Sequence, residues 1–381
     1  MRRSYGLSGV SILIVVSILA GGVFVGAYFW KDSNSQIDLQ APVLEIQNAI
    51  LKPQITPTLL PVSGQATPIP FYELTTPYLR ERSYQSSLGP LEKVSENLQY
   101  SSYLTNYISD GLKINGLLTI PKDPETHSLR SVQASSGRQK YPAVVFVHGY
   151  IPPLEYQTLK NYSQYIDFLA RSGLVVFKID LRGHANSEGE SGGAYFSSDY
   201  IIDTLNAHAA LQAADFVNPK KIGLWGHSMA GNVVFRAFVS KKDIPAIVIF
   251  AGAVYTYSDF SDYSISDNSY QPLPEGSERR RKRVELFETY GEFNPDSSFW
   301  KQVPGTNYLD GVTGAIQIHH ARDDSVASIE YSRNLMRILD GTSISHELIE
   351  YPGGGHNLTG LNFTEAMQNT VDFFKKHLSA N

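Results

Sequence analysis

Three kinds of side chain able to open a carbonyl bond stand in this sequence just after apolar runs: Ser228, the pair Asp323-Asp324, and His356. The serine lies in Ile222-Gly223-Leu224-Trp225-Gly226-His227-Ser228-Met229-Ala230-Gly231, between a strand-like run and an apolar stretch of helical type. A strand that turns into a helix through one residue strains that residue and crowds the backbone two positions to either side, where only small residues fit. Gly226 and Ala230 occupy those positions, in the pattern G-x-S-x-G with Ala in the final place. The hydroxyl then stands at a helix N-terminus, where free N–H groups and the helix dipole favour a developing oxyanion.

Such a serine needs a base and a group to orient the base. His356 follows the last apolar run, inside Pro352-Gly353-Gly354-Gly355-His356, whose glycines permit a tight loop that aims the imidazole. Asp323 and Asp324 follow the run ending at His319-His320, and the residues alone do not separate the two. The expected oxyanion donors are the N–H of Met229 and the N–H of Tyr150, in Val147-His148-Gly149-Tyr150.

The elements that must position these residues alternate. Apolar runs at 143–147, 174–179, 222–225, 246–250, 315–319 and 347–349 are separated by helical stretches near 156–172, 199–215, 229–239 and 328–339, and 364–377 closes the chain. Continuous apolar strands between helices predict a mostly parallel sheet covered on both faces. Before them, 100–107 and 112–120 flank Asp110-Gly111 and predict an antiparallel hairpin at the sheet edge. Residues 255–312 break the alternation. This insertion is too long for a plain connection and rich in aromatics, and it predicts a helical cap over the strand ends.

These residues resemble the α/β-hydrolase superfamily, and within it the prolyl-oligopeptidase-like serine hydrolases. The matching pieces are Phe146–Tyr150, Asp180-Leu181-Arg182-Gly183-His184, Gly226–Gly231, Asp323–Val326 and Gly355-His356, in the chain order serine, acid, histidine. The resemblance implies an α/β-hydrolase fold and a Ser228–Asp323–His356 triad, because it sets the acid three residues before the loop valine. It implies a serine-type peptidase acting through an acyl-enzyme. A carboxylesterase or acyl hydrolase on the same fold, or an inactive binding protein, is the alternative. The stretch between the Pro-rich segment and the first core strand is too short for the propeller that filters substrates in oligopeptidases.

The bulk numbers bound the partners. The chain has 381 residues and a net charge of −5, which gives no electrostatic footprint for nucleic acid. There is no cysteine, hence no disulfide or thiolate nucleophile, and no metal-ligand spacing or cofactor motif. The expected partner is a peptide or ester substrate. Arg279-Arg280-Arg281-Lys282-Arg283 reads as a solvated helix face with i,i+4 pairs such as Glu278–Lys282. Arg2 and Arg3 precede a stretch, 4–30, without charge. Val10 to Trp30 as a helix would span about 30 Å, one bilayer core. This predicts an N-terminal transmembrane signal anchor over 1–30, a Pro-rich extracytoplasmic tether over 31–70, and a hydrolase domain over 71–381 outside the cytoplasm. A secreted enzyme after signal cleavage is the alternative.

Overall fold

The computed structural model describes residues 14–19, 22–27, 69–122 and 140–379. Two compact units divide the chain, Met1–Pro70 and Phe71–Asn381. In the first, β1 (Ile14–Leu19) and β2 (Gly22–Ala27) pair antiparallel. This differs from the membrane helix expected there. The strands carry β-branched Ile and Val, which favour extended backbone. Among the described residues no helix is long and apolar enough to cross a membrane. The rest of the expected anchor, and the tether as far as residue 68, lie outside the described residues.

The second unit opens with α1 (Thr76–Glu81), whose N-cap Thr75 accepts from Tyr78 N–H. Then come β3 (Glu92–Glu96), β4 (Tyr100–Ser109) and β5 (Leu112–Pro121). Asp110 and Gly111 both take positive φ, the signature of the two-residue turn joining β4 to β5. The hairpin is not itself the sheet edge. β3 lies outside it, exposed along its length and carrying Glu92, Lys93 and Glu96, charges that discourage further pairing.

From here strand and helix alternate: β6 (Tyr141–Val147), α2 (Ser163–Arg171), β7 (Val175–Ile179), α3 (Asp199–Gln212), β8 (Val217–His227), α4 (Ala230–Ser240) and β9 (Ala246–Phe250). After the insertion, which holds α5 (Asp259–Asp262) and α6 (Glu278–Tyr290), come β10 (Ala315–Ala321), α7 (Glu330–Leu339), β11 (Ser345–Tyr351) and α8 (Leu361–Ser379). The nine strands run in the order β11-β10-β9-β8-β6-β7-β5-β4-β3. β6 to β11 are mutually parallel, and β5, β4 and β3 extend the sheet antiparallel. Strands β6, β7, β9 and β10 are buried almost throughout, because helices cover both faces. One face packs α1, α3, α4 and α7 against residues such as Val145, Leu224 and Ile318. The other packs α2 and α8 against Phe146, Trp225 and Val248.

The insertion differs from an aromatic roof over a pocket. Tyr257, Leu286, Phe299, Trp300 and Val303 build a small core of their own, completed by Leu74, Phe71 and Phe196 from the body. An insertion this long must bury its rings somewhere, and it does so partly in this cluster and partly on the main core, where Tyr255 packs on Phe235 and Tyr263 on Tyr331. The basic run on α6 is likewise only partly solvated. Lys282 pairs with Glu278 as expected at 2.9 Å, but Arg279 reaches Asp199 and Ser197 in the body. Arg283 lies over the Phe196 ring, 4.8 Å from its centroid.

Candidate active site

Ser228 sits between the end of β8 and the start of α4 with φ of 55°, a left-handed conformation that a non-glycine residue adopts only under constraint. The constraint is visible on both sides. Ser228 N–H donates to the Phe250 carbonyl at 2.8 Å, and the Ser228 carbonyl accepts from Gly231 N–H at 2.8 Å. A Cβ on Gly226 would lie 2.7 Å from the Ala230 carbonyl oxygen, and one on Gly231 would lie 2.7 Å from Gly252 Cα. Glycine is therefore required at 226 and 231, whereas the Ala230 methyl is accommodated in full burial. Ala is tolerated in the motif's last place because the crowding at 230 is with its backbone, on the Gly226 side, while the approach to Gly252 falls on Gly231.

Ser228, His356 and Tyr150 line one cavity of about 570 Å³. Met229 follows the serine directly and caps α4, so its N–H belongs to the helix start. Tyr150 lies just beyond β6, and its hydroxyl accepts from Gln271 N–H of the insertion at 2.8 Å. The insertion supplies Asp267 and Ser269 to the cavity wall.

His356 leaves the glycine loop, where Gly354 and Gly355 take φ of 115° and 62°. Its Nδ1–H donates to Asp324 Oδ2 at 2.8 Å. The carboxylate that meets His356 is therefore that of Asp324, whereas the resemblance points to Asp323. Asp323 points elsewhere and accepts from Gly355 N–H at 2.9 Å and Gly354 N–H at 3.3 Å, shaping the loop that carries the histidine. The two neighbours part because the turn after β10 directs the first carboxylate outward and the next inward. The Asp324 side chain has no exposed surface, while Asp323 is exposed.

Asp324 collects more than one donor. Val326 N–H and Ala327 N–H reach Oδ1 at 2.8 and 3.0 Å. His320 Nε2–H donates to Oδ2 at 3.1 Å and also to the Ala327 carbonyl at 3.0 Å, and His320 Nδ1 accepts from Ser332. Burial by itself would raise the Asp324 pKa. The hydrogen bonds from His320 and His356 outweigh it and hold the carboxyl well below the usual carboxylate range. The carboxylate thus stays ionised, two imidazoles share it, and the His356 proton is held on Nδ1, leaving Nε2 as the basic nitrogen. His319 turns to the opposite face toward Tyr351 and Gln317, as alternation on a strand requires.

Comparison with known proteins bears on the fold and the class. The model of the serine aminopeptidase family (S33) matches residues 138–266, and that of the BAAT / acyl-CoA thioester hydrolase C-terminal family matches 205–360. Among solved structures, a puromycin-hydrolysing peptidase of Mycobacterium tuberculosis aligns at 16% identity and a TM-score of 0.55, over 75% of this chain and 41% of that one. Acetyl xylan esterase 1 from Thermoanaerobacterium aligns at 15% identity and a TM-score of 0.50, over 78% and 90%. Est1E of Butyrivibrio proteoclasticus, with ferulic acid bound, aligns at 17% and 0.51, over 72% and 98%. At such identities the structures speak for the fold alone. With the two family models, the class is clear: the chain is a serine hydrolase of the α/β-hydrolase superfamily.

Proposed function

We propose that the chain hydrolyses a peptide or ester carbonyl through an acyl-enzyme on Ser228. His356 Nε2 takes the Ser228 proton as Oγ attacks, and the tetrahedral oxyanion is held by the N–H groups of Met229 and Tyr150. The bond to the leaving group then breaks, and His356 gives its proton to the departing amine or alcohol. Water repeats the sequence in reverse and frees the acid. Asp324 keeps the imidazole in the productive tautomer and stabilises the imidazolium that forms.

The observation that carries this reading is the 2.8 Å contact of His356 with the buried Asp324 carboxylate, beside a strained Ser228 on the same cavity. A serine-type peptidase remains the first substrate reading and a carboxylesterase the second. In both, entry to the cavity is set by the insertion in place of a propeller. The run of uncharged residues behind Arg2 and Arg3 supports an anchored position with the hydrolase domain outside the cytoplasm.

The test of the chemistry is a fluorophosphonate probe on the purified protein, with the modified residue located by peptide mass mapping. Labelling at Ser228 that disappears in Ser228→Ala supports the proposal, and a folded protein that takes no label at Ser228 refutes it. Parallel panels of peptides and esters then decide the leaving group. For the location, protease added to intact cells should remove the hydrolase domain, and full protection would contradict an outward-facing domain.

A further inference from the structure

Behind the candidate nucleophile runs a short chain of partly buried hydrogen bonds. Gly149 N–H donates to the Tyr162 hydroxyl at 2.9 Å, Tyr162 donates to His227 Nδ1 at 2.8 Å, and His227 Nε2–H donates to the carbonyl of His356 at 2.9 Å. The direction follows from the ends. A carbonyl only accepts, so Nε2 must carry the proton. Nδ1 must then accept, and the tyrosine hydroxyl spends its proton there. Its lone pair takes the Gly149 N–H. Burial, with His356 nearby as a second contributor, pushes the His227 pKa down to about 3, so the ring keeps this neutral form at ordinary pH.

The chain touches all three parts that the proposed reaction needs. Gly149 immediately precedes Tyr150, the expected oxyanion donor. His227 immediately precedes Ser228. The accepting carbonyl is that of His356 itself. The packing leaves little slack, since a Cβ on Gly149 would lie 2.9 Å from the Tyr162 hydroxyl oxygen and 3.0 Å from His227 Nδ1. One turn along α2, Tyr165 donates its hydroxyl to the Asn357 carbonyl at 2.8 Å, so two successive carbonyls of the histidine loop are held by side chains.

We propose that His227 is a positioning residue that sets the oxyanion loop and the histidine loop against the nucleophile through this chain. The proposal rests on reading Ser228, His356 and Tyr150 as the reacting groups. A directional bond to each loop is what such a role demands, because displacement by about 1 Å can cost on the order of 10²-fold in rate. An apolar residue at 227 would fill the space without joining the loops.

The test compares purified full-length His227→Ala, His227→Gln and Tyr162→Phe with the wild type, using a chromogenic ester and the fluorophosphonate labelling rate. His227→Ala should lower kcat by about 10²-fold while KM stays within about threefold. His227→Gln, which retains a donor and an acceptor, should recover at least about tenfold of that loss. Tyr162→Phe, nearly isosteric, should lose about tenfold in kcat and in labelling rate without a matching fall in thermal midpoint. The proposal is overturned if wild type is labelled at Ser228 and Tyr162→Phe keeps full kcat, or if the glutamine recovers nothing over the alanine. Should His227→Ala not fold, the other two variants decide. A wild type that takes no label would overturn the proposed function along with it.

Discussion

The loops around Ser228 and the insertion above them are held by different physics. Around the serine, Asp324, His320, His356, His227 and Tyr162 are joined by hydrogen bonds, each with one admissible direction. In the insertion, Tyr257, Phe299 and Trp300 pack as rings, with Phe299 and Tyr290 stacked at 3.7 Å between centroids. Hydrogen bonds fix distances and angles narrowly, whereas ring packing fixes tilt and separation within a broader range. Chemistry that needs sub-ångström placement is lodged in the first region. The second supplies Asp267 and Ser269 to the cavity wall and is stitched to the body by Ser266 N–H on the Val326 carbonyl at 2.8 Å and by Arg279 on Asp199.

The largest break in this contrast is Ser228→Ala, which should lower ester turnover by on the order of 10⁴-fold or more and leave the thermal midpoint unchanged within a few degrees. A change in the other region should do the reverse. Trp300→Ala removes the largest ring of the insertion's core and should cost about 3–5 kcal/mol of that unit's stability. Limited proteolysis should then cut within 255–312, while hydrolysis of a small activated ester falls by less than about threefold. Equal loss of turnover would mean that the two regions are not separable.

The buried histidines make a pH prediction. Burial pushes His208, His227 and His319 each down to about 3. The unfolded chain takes up protons at these residues below about pH 6.5, and the folded state does not. Stability from these groups is therefore complete above about pH 6.5 and declines as pH falls toward 3, by up to about 1.4 kcal/mol per pH unit for each histidine. Asp324 is depressed instead, so its contribution is present above the ordinary carboxylate range and lost only as pH falls below it. Denaturant melts from pH 7 to 4 should show the histidine slope, and a flat profile would contradict it. The smallest effect is expected from Arg279→Gln, which cuts a partly buried ion pair and should shift the thermal midpoint by a few degrees, raising the rate of cleavage in the insertion.

Much of this site was legible because its signals are local. The serine turn is written in residues two apart, and the order serine, acid, histidine in single loops after recognisable strands. Which aspartate meets His356 was not legible, because Asp323 and Asp324 are adjacent and differ only in which way the loop directs them, one to the glycine loop's N–H groups and the other to the imidazole. His227 and Tyr162 were invisible as a pair, being 65 positions apart and joined only when α2 packs beside β8. The role of Arg279 was hidden for the same reason, since a charged helix face looks solvated until its partner on α3 is known. β3 was missed because an exposed edge strand has no apolar alternation to announce it.

The account turns most directly on which carboxylate serves His356. Asp323→Asn and Asp324→Asn should be compared by kcat for one ester across pH 5 to 9, with circular dichroism confirming the fold of each. Asp324→Asn should lose on the order of 10³- to 10⁴-fold, because the amide favours the wrong imidazole tautomer, and Asp323→Asn should lose less than about tenfold. The reverse ranking, or two equal small losses, would contradict the assignment of Asp324 and with it the proposed triad.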